Sequence, residues 1–172
     1  MLTPSQETYL EKVSDNEKVD VKPWDSKAAE FAEGLVSELQ AAVPEADVLW
    51  SGALALHVAG VNDVDVSIIV NTKDFAEILP KLVGVFGEPQ IKGEEKILWR
   101  THKDGYKVDA YLGTKDSEDI QMHKKLFELL RDNKELREEY QLLKESSIGV
   151  SLREYQRRKL EFYNRISGTG LQ

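Results

Sequence analysis

Apolar side chains recur at helical spacing between residues 25 and 43, where Ala28, Phe31, Ala32, Leu35, Leu39 and Ala42 form one stripe. Asp25 or Ser26 is placed to cap this helix, Glu30 adds negative charge near its start, and Pro44 stops it. The short run Val48-Leu49-Trp50 predicts a strand near 47–51 that halts at Ser51-Gly52. Ala53 to Ala59 predicts a short helix stopped by Gly60. β-Branched residues crowd Val64 to Val70, which marks a strand. Lys73 to Phe86 is amphipathic again and predicts a helix closed by Gly87 and Pro89. Within 94–112, two alternating runs, Ile97 to His102 and Tyr106 to Leu112, flank Lys103-Asp104-Gly105, the pattern of a hairpin with a tight Asp-Gly turn. From about Asp116 to Ile166 the pattern is helical, with breaks near Asp132-Asn133 and between Ser146 and Ser151. Residues 3–18 are polar apart from Tyr9, Leu10 and Val13 and predict a short helix or a loose arm, while the tail from Ser167 to Gly170 is expected to fray.

These elements describe an α/β (α+β) chain. Strands near 47–51, 64–70, 96–102 and 106–112 make one mixed or antiparallel sheet, backed by the 25–43 and 73–86 helices. The expected organisation is an N-terminal arm over 1–19, an α/β core over 20–115 and C-terminal helices over 116–166 packed on that core, as a single domain. A chain of 172 residues with 41% hydrophobic content can bury one core of this kind. No run of about 18 apolar residues exists to span a membrane, and Met1 to Glu7 lacks the basic and apolar stretches of a secretory signal. Cysteine is absent, which removes disulfides and thiolate metal sites. Together these features fit a cytoplasmic protein. Any metal then falls to carboxylates and histidines, a donor set suited to hard ions such as Mg²⁺ or Mn²⁺. The net charge of −8 argues against a general nucleic-acid binder. It is compatible with a metal-chelated nucleotide, because a bound divalent cation reverses the local field.

The chemistry-bearing residues cluster around the second strand. Alternation points Asp63, Asp65 and Ser67 one way and Val64, Val66 and Ile68 the other. Two carboxylates one strand-step apart can reach a common metal, or two metals. The plainer alternative is a solvated strand end. Eleven residues earlier, Ser51-Gly52-Ala53 joins a strand to a short helix, and amides at such a start suit a phosphate. A third acid, Asp109, shares a strand face with Lys107 and Tyr111. A two-residue turn at Asp104-Gly105 places it opposite Arg100. Asp109 is then either a cross-strand ion pair with Arg100 or a third metal-facing carboxylate, with Arg100 free to contact a phosphate.

Other polar and aromatic positions carry less. His57 is expected to pack beside the short helix and His123 to lie on a helix surface, with His102 alone on the face of the acids. Trp50 and Trp99 suit core or sheet-face positions. Arg153, Arg157, Arg158, Lys159 and Arg165 form a basic run on the last helix, by default a solvated face, with a phosphate or tRNA contact as the alternative.

Gly52 after a strand, a short helix, Asp63-Val64-Asp65-Val66 and Asp109 on a later strand together resemble the DNA polymerase β-like nucleotidyltransferase superfamily. The similarity to its GrpB-like branch extends over roughly residues 20–166. Pro23-Trp24-Asp25 looks like that branch's opening, Phe127 to Tyr140 is similar to its C-terminal signature, continued by Leu143-Lys144, and Tyr155 and Lys159 fall where it has a late tyrosine and lysine. The chain departs from the branch at the turn, where His-Ile-Gly-Ser is replaced by Leu49-Trp50-Ser51-Gly52-Ala53. It departs again before the acidic strand, where Val61-Asn62 replaces a proline-glycine step and a lysine, and at Asp109, where the branch often has histidine. The resemblance implies a nucleotidyltransferase fold with a small mixed sheet, flanking helices and a helical C-terminal segment. It further implies that Asp63 and Asp65 ligate Mg²⁺ (or Mn²⁺) and the triphosphate, while Asp109 holds a second metal or deprotonates an acceptor. Ser51, Gly52, Ala53, Ser67 and Arg100 would line the nucleotide site. The implied activity is transfer of a nucleoside monophosphate from an NTP to an acceptor that the sequence does not name. The alternative is a non-catalytic module that binds a nucleotide or a protein on the same fold.

Overall fold

The computed structural model describes residues 1–93 and 96–168. The first two residues of the 94–112 segment, and the tail beyond Gly168, therefore lie outside the described residues.

In chain order the elements are α1 (Pro4–Glu11), α2 (Ser26–Ala42), β1 (Asp47–Ser51), α3 (Gly52–Ala55), β2 (Val64–Val70), α4 (Phe75–Phe86), β3 (Ile91–Lys92), β4 (Lys96–Lys103), β5 (Tyr106–Thr114), α5 (Glu118–Asp132), α6 (Lys134–Glu145) and α7 (Leu152–Ile166). The five strands form one mixed sheet in the order β1-β2-β5-β4-β3. β1 runs antiparallel to β2, and β4 antiparallel to β5, while β2 and β5 run parallel in the middle. Turn chemistry closes the β4–β5 hairpin, since Asp104 and Gly105 both have positive φ, at 51° and 86°.

Alternation along the strands builds the core on one face. Val64, Val66, Ile68 and Val70 of β2 meet Val108, Ala110 and Leu112 of β5 and Ile97 and Trp99 of β4, all essentially without exposure. The apolar stripes of α2 and α4 cover this face through Leu35, Leu39, Ile78 and Leu82. Asp25 caps α2 by accepting the Lys27 amide at 2.9 Å. The C-terminal helices build a second cluster around α3, in which Leu130, Tyr140 and Phe162 pack with Ala53 and Leu56.

Several local outcomes differ from the pattern. The helix expected over Ala53 to Ala59 ends at Leu56, where His57 turns left-handed with φ 58°. Its amide bonds Leu54, and the Val58 amide reaches back to Ala53, a helix-ending motif that needs no glycine. His57 is thus exposed at the helix end and stacks on Trp24 at 4.6 Å. Gly60, expected to be the stop, instead pairs with Lys22 in an isolated bridge. α4 starts at Phe75 after a 3₁₀ turn and carries Pro80 inside it. Both Pro80 and Ala76, whose carbonyl loses its partner, are exposed, so water can satisfy that oxygen. The short edge strand β3 is an addition. The N-terminal segment forms a helix rather than a loose arm, because Thr3 and Gln6 make a reciprocal capping box. Gln6 also bonds Asn164 of α7, which ties the N-terminus to the last helix.

Candidate active site

β2 and β5 lie parallel and in register, so Asp65 stands directly opposite Asp109 on the same face of the sheet. Neighbouring strands are about 4.8 Å apart, so parallel pairing brings two carboxylates side by side. Asp63, just before β2, supplies the third. Oxygens of all three lie within 4.8 Å of one another, close enough to share one ion.

The electrostatics of the cluster follow from this crowding. Burial pushes the Asp65 carboxyl up to about 7, with Asp63 and Asp109 adding to the shift and Lys159 and Lys107 opposing it. Asp109, only 7% exposed, is also raised by burial and by Asp63, against the pull of Lys107 and Arg100. Its Oδ1 is buried and has no hydrogen-bond partner among the described residues. The Lys107 ammonium, 3.8 Å from that oxygen, stands beyond hydrogen-bond distance. A compact set of hard oxygen donors with one unsatisfied, buried carboxylate oxygen fits a divalent cation such as Mg²⁺ or Mn²⁺.

Gly52 is shaped by its acid neighbour. Its φ is +80°, and a Cβ built on it would come within 2.2 Å of Asp65 Oδ2. The turn expected to favour phosphate therefore also clears space for a carboxylate. Ser51 pairs with Asp65 across β1 and β2. Ser51, Gly52, Asp65 and Ser67 line one wall of a cleft of about 200 Å³. Ala53, by contrast, is buried against the C-terminal helices, so its side chain belongs to packing. Arg100 lies across β4 from Asp109, with its Nε 3.6 Å from Oδ2 and its side chain 61% exposed. Arg100 and Asp109 form an ion pair, and Asp109 also belongs to the three-acid cluster. His102 shares the sheet face of Arg100 but stays exposed towards the hairpin turn, outside the cluster.

The opposite wall comes from the C-terminal helices. Tyr140 of α6 and Lys159 and Tyr163 of α7 line the cleft, with Phe127 and His123 of α5 towards its mouth. The basic run of α7 therefore divides. Arg153, Arg157, Arg158 and Arg165 pair on the surface with Asp15, Glu7, Glu154 and Glu139, whereas Lys159 turns inward. Burial opposes charge on Lys159, yet its pKa stands above the ordinary lysine value. The neighbouring Tyr163 and Tyr155 raise it, followed by the carboxylates of Asp65 and Asp63.

Behind it, Lys144 is buried and donates to the Tyr155 hydroxyl at 3.0 Å. Burial and then the nearby Lys159 bring its pKa down to about 7. Lys107, Lys144, Tyr111, Tyr140 and Tyr163 carry no site role in the sequence reading. For Lys144, as for Lys159, a signal existed: each follows a tyrosine by four residues, Tyr140–Lys144 and Tyr155–Lys159, and each ammonium sits over that ring at 4.8 and 5.3 Å.

No protein-family profile matches the sequence, and no curated protein matches it. Solved structures do. The conserved protein GrpB from Enterococcus faecalis superposes with a TM-score of 0.60 at 14% identity, over 87% of this chain and 92% of that one. Cid1 poly(U) polymerase with MgGTP bound gives a TM-score of 0.48 at 13% identity, over 77% of this chain and 43% of that one. Its complex with Mg 3'-dATP gives 0.47 at 12%, over 77% and 42%. The chain thus spans under half the length of Cid1. The likeness is one of architecture: over most of its length this chain shares the fold of GrpB.

Proposed function

We propose that the chain is a metal-dependent nucleotidyltransferase, which moves a nucleoside monophosphate from an NTP to an acceptor hydroxyl and releases pyrophosphate. The observation that carries this reading is the cluster of Asp63, Asp65 and Asp109 with the buried, unpartnered Oδ1 of Asp109. These three residues would hold Mg²⁺ or Mn²⁺. When bound, the metal supplies charge stabilisation to the attacking and leaving oxygens of a phosphoryl displacement.

The chain's own groups divide the remaining work. Lys159 sets a positive charge on the wall of the cleft facing the acids, where negative charge grows on the departing pyrophosphate. Ser51 and Ser67 offer hydroxyls beside Asp65 for orienting phosphate oxygens. Asp109 takes the acceptor's proton as the acceptor oxygen bonds the α-phosphorus. The bond from that phosphorus to the bridging oxygen breaks, and its electron pair leaves with pyrophosphate. Bulk water is limited by the aromatic wall of Tyr140 and Tyr163.

Thermal denaturation with Mg²⁺ or Mn²⁺ and each of the four NTPs tests the assignment. A ligand present at a hundredfold over its Kd should raise Tm by roughly 5–10 °C. Asp63→Asn with Asp65→Asn should abolish that rise in a folded protein, and Asp109→Ala should remove pyrophosphate release while leaving part of the rise. Absence of any shift in the wild type at millimolar nucleotide rejects the substrate assignment. A shift without pyrophosphate release from any acceptor marks the chain as a nucleotide-binding module.

A further inference from the structure

The exposed side of the carboxylate cluster is closed by a lysine that a metal-holding role does not require. Lys107 is the second residue of β5, one strand-step before Asp109 and on the same face. Its ammonium lies 3.5 Å from Asp63 Oδ2 and 3.8 Å from Asp109 Oδ1, so it bridges two of the three acids. The side chain is 47% exposed, in contrast to 10% for Asp109. Lys107 can therefore swing into solvent on its flexible four-carbon stem, whereas the acid it faces cannot move.

We infer that Lys107 is an exchangeable counter-ion of the metal site: it holds Asp63 and Asp109 while no metal is bound, and the entering divalent cation displaces it towards the polyphosphate of the substrate. This inference rests on the metal-dependent reading of the same site. The ammonium and a divalent ion compete for the same two carboxylates, and like charges at such distances repel. The oxygen it approaches at 3.8 Å is the one left without a hydrogen bond, so Lys107 offsets its charge without satisfying it. Arg100 does not share this role. Its guanidinium faces the other oxygen of Asp109 at 3.6 Å and pairs with no second acid among the described residues. Once displaced, the Lys107 ammonium stays tethered beside the metal at the open edge of the cleft. Lys159 supplies the fixed positive charge on the opposite wall. The site then presents cations on both sides of a metal-bound triphosphate. Before metal entry, the cation at its open edge is engaged by the acids. Metal thus precedes polyphosphate by construction.

Two titrations on wild type, Lys107→Met and Lys107→Gln separate the parts of this inference. Mn²⁺ alone, followed by electron paramagnetic resonance of the free ion, should bind both variants more tightly than wild type, on the order of three- to tenfold. Inorganic tripolyphosphate, added calorimetrically at saturating Mn²⁺, should bind both variants more weakly by a similar factor. A purely structural lysine would not move the two affinities in opposite directions. Equal or weaker Mn²⁺ binding by both variants overturns the counter-ion role. Tighter Mn²⁺ binding with unchanged tripolyphosphate supports the counter-ion role and overturns the transfer to polyphosphate. If wild type and Asp63→Asn bind Mn²⁺ equally poorly, the metal reading itself fails and the inference with it.

Discussion

Gly52→Ala tests whether the turn before α3 exists to admit a carboxylate. The backbone at Gly52 has φ +80°, a region in which an L side chain costs about 1–2 kcal/mol. The added Cβ would also stand 2.2 Å from Asp65 Oδ2. To reach ordinary contact near 3.4 Å, that oxygen must retreat by roughly 1.2 Å. Metal ligation tolerates deviations of only about 0.2 Å, so the retreat should take Asp65 out of the shared coordination sphere. The backbone cost alone should lower Tm by roughly 2–8 °C in a chain of this size. Gly105→Ala is the matched control, since Gly105 has φ +86° in the hairpin turn and open space where its Cβ would go. Both variants should lose comparable stability in chelator, measured by urea denaturation. Only Gly52→Ala should lose Mn²⁺ affinity, by tenfold or more, measured by paramagnetic resonance of the free ion. If Gly52→Ala keeps its Mn²⁺ affinity within about twofold of Gly105→Ala, the contact does not position Asp65 and the reasoning is refuted.

Two further outcomes follow from the same electrostatics. Asp65 is raised from 3.8 to about 7 in the metal-free fold, chiefly by burial and then by Asp63. The folded state then keeps a proton that the unfolded chain releases, so this stabilisation is full below about pH 4 and lost as pH climbs to about 7. Urea denaturation in chelator should show wild type losing stability relative to Asp65→Asn across that window. A constant difference between the two proteins would falsify the assignment. Lys144 is buried with its pKa brought down to about 7 by burial and Lys159. Lys144→Met should therefore change unfolding free energy by no more than about 1 kcal/mol, whereas Lys144→Ala, which opens a cavity under Tyr140 and Tyr155, should cost about 2–4 kcal/mol. Equal costs for the two substitutions would show that charge rather than volume matters there.

Much of this architecture was legible from local pattern, because period and turn chemistry are local properties. The strands at 47–51 and 64–70 match their apolar runs, and the Asp104-Gly105 turn sets the β4–β5 register that places Arg100 against Asp109. Elements decided by side-chain capping were less visible. α1 depends on a Thr3–Gln6 exchange, and α3 ends on a left-handed histidine rather than on the glycine that a pattern selects. β3 is two residues long and exists only because β4 is there to pair with it.

Residue type and alternation alone determined that Asp63, Asp65 and Ser67 share a strand face, and that Asp109 stands on the face of its own strand opposite Val108 and Ala110. No local signal says which strand β2 pairs with. Parallel pairing of β2 and β5, with Asp65 and Asp109 forty-four positions apart, is decided by how the whole sheet buries its apolar face against α2 and α4. That long-range choice turns two separate acids into one cluster. The same holds for the far wall of the cleft. Helical periodicity leaves Lys159 among surface arginines, and only the packing of α7 against α6 and α3 turns it towards the carboxylates. Charge burial is a property of the assembled fold. A sequence names the groups that can carry a charge, while tertiary structure sets how much water and which partners each one keeps.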